Sequence, residues 1–574
     1  MIPIRSISAA HFRAPSLRLL SAARVGKLAL ALTTAALCFS SVISAAQQTR
    51  ADAEKDPVLK AMLEELDRSK ASLQLKGFEK PFFIEYRIED VTSYETRAEF
   101  GSSEGSQNNH QRVARVTVRV GDYKLDSSTP RGDGSVEMAA IDDDPIAIRS
   151  ALWTATDEAY KDALAAYAQK QAELKQVQTP PQADDFSREA PLVSLAGPAA
   201  LDLNEQARQS WVERVATDSG LYRTAPAARD TQVQYCIASF SARAITTRLV
   251  NSEGAILRKS ATSYQESFGV GTQAADGMRI DRSNASNGAS LKDLDSSDAF
   301  QKQALGLIAS LADLRSAPLV EEEYHGPVLL SADSSTDVMY SLLANSLAAT
   351  RPRLGTEART NGPFASSYHV RILPDFLDVV DDPGLKSFDG KTLLGAYDVD
   401  DQGVAAKAVD LVAAGKLENF VIGRVPIRDL PQSNGHARAS LTGPARSTIG
   451  VLKISAENGL PDADLERKLL DMAKDRGLTS VYYAATMGPE MTPRLLYKLT
   501  PDGKRQLVRG AVLADLDQRA LRSGIEAAGR DLWTTNYVGE VPHTVLAPAL
   551  LLSDVTVKRA NEKNNKLPYY PPPD

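Results

Sequence analysis

The sequence predicts an α+β fold, with an N-terminal antiparallel sheet carrying long helices and a C-terminal, mostly antiparallel β domain with a few helices. Three observations predict it. Ile84, Tyr86 and Ile88 alternate with Glu85, Arg87 and Glu89, and Val116, Val118 and Val120 alternate with Arg115, Thr117 and Arg119. That two-residue period belongs to half-buried antiparallel strands. Leu152, Tyr160, Leu164, Tyr167 and Leu174 form one apolar stripe after Pro145, which reads as a long helix. Beyond residue 320 the apolar runs are short and separated by Gly, Pro and Asp, which reads as strands and turns with few helices.

The chain opens on a leader. Residues 1–45 hold Arg5, Arg13, Arg18, Arg24 and Lys27 and no acid, then an apolar run from Leu28 to Val42 that ends in Ser44, Ala45 and Ala46. This is the pattern of a secretory signal cleaved after Ala45. A retained membrane anchor is the alternative, but the apolar run is shorter than the ~20 residues a span needs. Lipidation at Cys38 is disfavoured by Leu37 before it. Loss of the leader takes the chain from 66 basic and 73 acidic groups to 61 and 73, a net charge of −12 rather than −7. So acidic a protein is a poor nucleic-acid binder. Export leaves Cys236 as the single cysteine, so no intramolecular disulfide can form and stability rests on the apolar core.

A length of 574 residues suggests at least two domains. Residues 55–315 are assigned to the first and 326–574 to the second. Asp56 to Leu75 reads as a helix through Leu59, Met62, Leu63 and Leu66. The long helix after Pro145 is expected to end at Pro180 and Pro181, with Gln182 to Ala200 an exposed connection. Gln232 to Phe240, Arg243 to Val250 and Ala255 to Ser260 read as strands, the last two joined by the turn Asn251-Ser252-Glu253-Gly254. Gly271 to Ser290, rich in Gly, Ala, Ser, Asn and Asp, reads as a loop. Ser296 to Arg315 is a helix capped by Ser296 or Ser297. A strand from Pro327 to Leu330 and a helix from Asp333 to Ala348 open the second domain. Asp462 to Arg476 is an amphipathic helix, Arg494 to Thr500 pairs with Lys504 to Gly510, and Val545 to Lys558 supplies late strands. Leu567 to Asp574 is a proline-stiffened tail.

The stretch from Tyr397 to Arg438 concentrates the candidate chemistry. Its apolar runs predict two strands joined at Gly415 and followed by a polar loop, Pro431 to Gly435. Asp398, Asp400, Gln402 and Gly403 imitate the start of a calcium-binding loop, but Val409 stands where the bidentate Glu is needed, and a solvated turn is the plainer reading. Asp378, Asp381 and Asp382 are either paired carboxylates or an exposed turn before Pro383. Asn434, His436 and Arg438 are the candidates for contact with a peptide, Arg438 holding its carboxylate. The alternative is that they tie the loop to neighbouring strands.

This stretch, together with VVDDPGL (Val379 to Leu385), resembles the signature of the TldD/PmbA family, the modulators of DNA gyrase, a group related to metallopeptidases. His325 to Ala348, Arg494 to Gly510 and Val545 to Pro573 resemble further family segments in the same order. The resemblance implies a dimer enclosing a peptide-accepting cavity. In active members, as the resemblance implies, the helix after the first strand of the second domain carries His-Glu-x-x-x-His, two imidazoles for zinc and a glutamate as base, and a cysteine near the C-terminus adds a ligand. The matching positions here are Ser341, Leu342 and Ser346, and no cysteine follows Cys236. A hydroxyl is a poor zinc ligand and Leu342 offers neither acid nor base. No catalytic zinc and no other cofactor are therefore expected. In this the chain resembles the PmbA branch, whose members lack the motif and pair with a TldD-type subunit. The expected function is an exported, zinc-free member that binds or presents unfolded peptide, as a homodimer or beside a TldD-like catalytic subunit. An active peptidase with a non-consensus site and an envelope binding module unconnected with proteolysis are the alternatives.

Overall fold

The computed structural model describes residues 48–129, 132–178, 183–225 and 232–560. The signal segment, Pro180 and Pro181 and the tail from Leu567 lie outside them. Among the described residues no helix is long and apolar enough to cross a membrane.

After a single helical turn at Arg50–Ala53, Asp56 caps the first long helix, α1 (Pro57–Ser72), its Oδ1 accepting the N–H groups of Val58 and Leu59 at 3.0 and 3.2 Å. A seven-stranded sheet follows. Its strands are β1 (Phe83–Glu99), β2 (Ser102–Arg119), β3 (Ser135–Ala139), β4 (Val193–Leu195), β5 (Tyr235–Asn251), β6 (Ile256–Gln273) and β7 (Arg279–Gly288), in the order β3-β2-β1-β5-β6-β4 with β7 also on β6. All pairs are antiparallel except β4 with β6. Ile84, Tyr86, Ile88, Val116 and Val118 bury one face under α1 and α2 (Pro145–Leu174). Farther along, α3 (Glu205–Ser219) and α4 (Ser297–Ser316) cover Tyr94, Phe240, Tyr264 and Phe268, with Trp211 of α3 stacked on Phe240 at 3.8 Å.

The second sheet has eleven strands. They are β8 (Tyr324–Leu330), β9 (Leu377–Asp381), β10 (Val409–Ala413), β11 (Lys416–Leu417), β12 (Val451–Ala456), β13 (Val481–Met487), β14 (Pro493–Leu499), β15 (Arg505–Val508), β16 (Ala511–Ala514), β17 (Ile525–Tyr537) and β18 (His543–Arg559). The path runs β11-β10-β9-β12-β18-β8-β13-β14-β15, with β16 and β17 also on β18. β12 pairs with β18, and β8 with β13, in parallel; the other pairs are antiparallel. The late apolar run is thus one central strand, β18, buried without a break from Thr544 to Leu552. Helices α5 (Ala332–Leu342) and α6 (Asp462–Asp475) pack on this sheet.

Several expectations need correction. Residues 271–290 form not a loop but the end of β6, a turn and the outer strand β7, whose polar side chains are tolerated on an edge once the backbone pairs with β6. The connection 183–200 is not exposed throughout: Asp185, Phe186 and Ser187 are buried and β4 lies within it. The two strands expected between residues 232 and 250 are one, β5. The helix expected to reach Ala348 stops at Leu342 and gives way to a 3₁₀ turn, Ala344–Leu347. Finally, the alternating stretches Ile84–Glu89 of β1 and Arg115–Val120 at the end of β2 are not half-buried. Arg87, Glu89, Arg115 and Arg119, on the face away from the helices, are also covered.

What covers them is the C-terminal half. Arg87 donates to the carbonyls of Ser440 and Gly443 at 2.9 and 2.7 Å, and Arg115 to that of Thr442 at 2.7 Å. Leu249, Ala255 and Leu257 meet Val399. Lys259 is paired with Asp401 and bonds the Val399 carbonyl at 3.2 Å.

Candidate functional site

The hairpin β10–β11 turns at Ala414 and Gly415, both with positive φ, as the glycine at this position suggested. The chain then buries Phe420, Val421 and Ile422 and enters the loop at Pro431. Asn434 fastens that loop: its Oδ1 accepts the N–H of Ile422 at 2.8 Å and its Nδ2 donates to the carbonyl of Phe420 at 2.9 Å. Gly435 (φ +79°) passes so close to Ala405 that a Cβ would sit 2.3 Å from its carbonyl oxygen, so only glycine fits.

His436 is fully buried. Its Nδ1 faces the carbonyl and side-chain oxygens of Asn434 at 3.1 and 2.9 Å, and its Nε2 lies 3.2 Å from Asp381 Oδ1. Asp381 in turn accepts the N–H groups of Gly450 and Val451. His436 is thus enclosed by bonds of the loop and of Asp381, and half-buried Asn434 holds the loop to Phe420 and Ile422. Arg438 differs. It lies 4.3 Å from the Tyr397 ring and 3.6 Å from Asp401 Oδ2, and its Nε and Nη1 are buried with no hydrogen-bond partner among the described residues.

The acidic turn is neither a calcium loop nor solvated. Asp400 is fully buried and accepts N–H bonds from Gln402, Val404 and Ala437 at 2.9, 2.9 and 3.1 Å. Burial still pushes its carboxyl up to about 6. Burial acts on Asp401 in the same sense, yet Lys259 and Arg438 hold it down at about 2. Asp398 points outward to Lys386, and Val409 begins a strand. The carboxylates are thus consumed by backbone and cations. Nor are Asp378, Asp381 and Asp382 a pair: Asp378 accepts from Ala414 N–H at 2.8 Å and Asp382 from Gly384 N–H at 3.0 Å.

The positions matching the zinc motif are spread over two elements. Ser341 is exposed and Leu342 half-buried against the core at the end of α5, whereas Ser346 sits on the 3₁₀ turn with its Oγ 3.5 Å from the Leu342 carbonyl. Among the described residues no three His, Cys, Asp or Glu side chains come together as a metal site. Cys236 is buried in the first sheet. Two hydroxyls and an isobutyl group at these positions are not the imidazole, thiolate or carboxylate donors that a zinc site takes.

Two features escaped the sequence. Tyr340 of α5 stacks on Tyr537 and His543 with ring centroids 4.4 and 4.6 Å apart, and Tyr537 donates to Asp337 at 2.8 Å. Some two hundred residues separate these partners, so no local signal announces them. Gly101 to Gly105 matches Gly-x-Ser-x-Gly, a nucleophile-elbow pattern absent from the sequence-predicted sites. It lies in the β1–β2 hairpin, not between strand and helix, and Ser103 Oγ accepts the Gly105 N–H at 3.1 Å.

Residues 323–559 match the family model described as the PmbA/TldA metallopeptidase C-terminal domain. No curated protein sequence matches the chain. Among solved structures it is similar to TldE from Thermococcus kodakarensis (12% identity, TM-score 0.58, 87% of this chain and 100% of that one). It is likewise similar to a protein named as a modulator of a DNA gyrase from Thermotoga maritima (11%, 0.56, 86% and 100%). A third, named as a modulator of DNA gyrase from Bacteroides thetaiotaomicron, gives 12%, 0.56, 89% and 99%. At these identities the likeness is one of fold.

Proposed function

Because the chain belongs to the TldD/PmbA family through residues 323–559, we propose that it is an exported member without catalytic zinc. In this reading it binds or presents unfolded peptide, beside a TldD-like metallopeptidase as its inactive subunit. The observation that carries the reading is the loss of all metal donors where active relatives are expected to have them: Ser341, Leu342 and Ser346 lie on a helix that breaks before the last of them, and no cysteine follows Cys236. Export rests on the leader.

Arg438 is the loop's remaining cation for a peptide carboxylate, with His436 and Asn434 positioning it. The test is binding of labelled, unstructured peptides followed by fluorescence anisotropy. Arg438→Ala should weaken a peptide with a free C-terminal carboxylate about tenfold or more and leave its C-terminal amide unchanged, a loss on the scale of a charge-assisted hydrogen bond. No binding of either form by the wild-type chain rules the reading out.

A further inference from the structure

Beyond the 3₁₀ turn that follows α5 the chain makes a loop, residues 351–359, whose ends are tied together. Thr360 Oγ1 accepts the Thr350 N–H and donates to the Thr350 carbonyl, both at 2.9 Å. Within the loop the Arg353 carbonyl accepts the Thr356 hydroxyl at 2.8 Å. Gly355 (φ +80°) comes so near Val177 that a Cβ would sit 2.8 Å from its Cγ1, so the loop packs closely on the segment after α2. This loop, Pro426 to Arg428 and Ala183 wall a hollow of about 40 Å³ that opens to solvent.

Four arginines line the hollow, Arg351, Arg353, Arg359 and Arg428, and among the described residues no acid does; Glu357 of the same loop stands outside the lining. This concentration occurs in a chain with more acidic than basic groups. Arg351 is engaged by the fold: its Nη2 donates to the Ala183 carbonyl at 2.6 Å and pairs with Asp185 at 2.9 Å, and its Nη1 donates to the Pro426 carbonyl at 3.4 Å. Arg359 gives Nε and Nη2 to Asp429 Oδ2 at 2.9 and 2.6 Å, an oxygen that also lies 3.7 Å from Arg428 Nε. Arg353 is exposed, and its guanidinium has no partner among the described residues. Four guanidinium groups thus share two carboxylates, and Lys170 competes for Asp185 at 2.6 Å. A recess walled by one sign of charge focuses the field and draws a counter-ion.

We infer that this hollow is an anion site for a tetrahedral oxyanion, a phosphate group that is either free or carried at the end of a larger molecule. Size and donors point to the same class. A hollow of about 40 Å³ holds a few waters or one such group, whereas pockets for whole small molecules begin near ~300 Å³. A planar carboxylate is served by one guanidinium fork, as Asp429 is by Arg359. Several guanidinium groups around one point suit an anion whose oxygens diverge, and Arg353 and Arg359 Nη1 have N–H groups to give. The tied loop and the bonds of Arg351 fix the wall in advance, so binding orders little besides the Arg353 side chain. The open mouth leaves room for the rest of an esterified molecule. Arg438 does not line this hollow, so the site stands apart from the peptide reading and does not depend on it.

The test uses the full chain in chloride buffer, with inorganic phosphate as the probe. Calorimetric titration should give one phosphate per chain, and about 10 mM phosphate should raise the melting midpoint where chloride at equal ionic strength does not. Arg353→Glu changes an exposed side chain that holds nothing in the fold. It should weaken phosphate at least tenfold while leaving melting in chloride unchanged, and Arg353→Lys should keep part of the affinity. Glycerol phosphate separates the sources: affinity equal to or above that of phosphate supports an esterified group, and affinity for phosphate alone supports the free ion. Absence of binding at about 20 mM phosphate, far above the strength expected of a charge-assisted site, overturns the inference. So does an affinity that Arg353→Glu leaves unchanged, or acetate that competes as well as phosphate itself.

Discussion

Arg424 is fully buried between the two sheets, where its Nη1 bonds Glu253 at 2.6 Å, its Nη2 the Ser187 carbonyl at 2.6 Å, and its plane lies 3.9 Å over the Phe186 ring. Tyr123 completes the group by donating to Glu253 at 2.6 Å. Removing one member of a buried pair strands the other, so Arg424→Ala should cost about 3–5 kcal/mol in chemical denaturation. Arg424→Lys should recover little of it, since an ammonium cannot make the forked bonds. A second consequence concerns pH. Burial raises Glu89 from 4.5 to about 7, outweighing Arg87 beside it. Between those pH values the folded chain keeps a proton that the unfolded chain has lost, so stability falls as pH rises through that window, by about 3 kcal/mol at most. Melting at pH 5 should therefore exceed melting at pH 7.5, and Glu89→Gln should flatten the difference; equal slopes would show that this carboxyl is not the source. The alternation of Glu85, Arg87 and Glu89 announced a strand. It did not announce that the charged face lies under the C-terminal half, because the partners are carbonyls of Ser440, Thr442 and Gly443, more than three hundred residues away.

At the scale of elements, those with strong local punctuation were legible. Asp56-Pro57, Ser296 and the positive-φ turn at Gly415 mark helix starts and a hairpin by chemistry internal to a few residues. Ser296→Ala should cost about 1 kcal/mol, read as a lower thermal midpoint. β7 was not legible, since a run of Arg, Asp, Ser and Asn extends only because β6 offers it a partner. The end of α5 was not legible either: Leu343 leaves the helix to reach the core and is fully buried there. That break has a testable consequence. Rebuilding the motif with Ser341→His, Leu342→Glu and Ser346→His should not create a stoichiometric zinc site, because Ser346 stands on a different element from Ser341 and no thiol is at hand. Calorimetric titration with zinc at micromolar protein reads this directly.

For the whole molecule, the periodicity along the chain was sufficient for the α+β class, and four ordered segments between residues 325 and 573 were sufficient for the resemblance that the family model matches over residues 323–559. The candidate site was only partly legible. The loop singled out uses its residues differently: His436 and Asn434 hold it through their hydrogen bonds, while the buried Nε and Nη1 of Arg438 have no hydrogen-bond partner among the described residues. The acids that imitated a calcium site serve backbone N–H groups, since a buried carboxylate must find donors and a turn supplies the nearest ones. The central claim is that this chain has the family's fold without its metal chemistry. Its most direct test is zinc content by mass spectrometry after the purified protein is incubated with excess zinc and desalted, with peptide digestion run in parallel with and without chelator. The account predicts well under one zinc per chain and no chelator-sensitive cleavage; one zinc per chain together with cleavage that a chelator abolishes would contradict it.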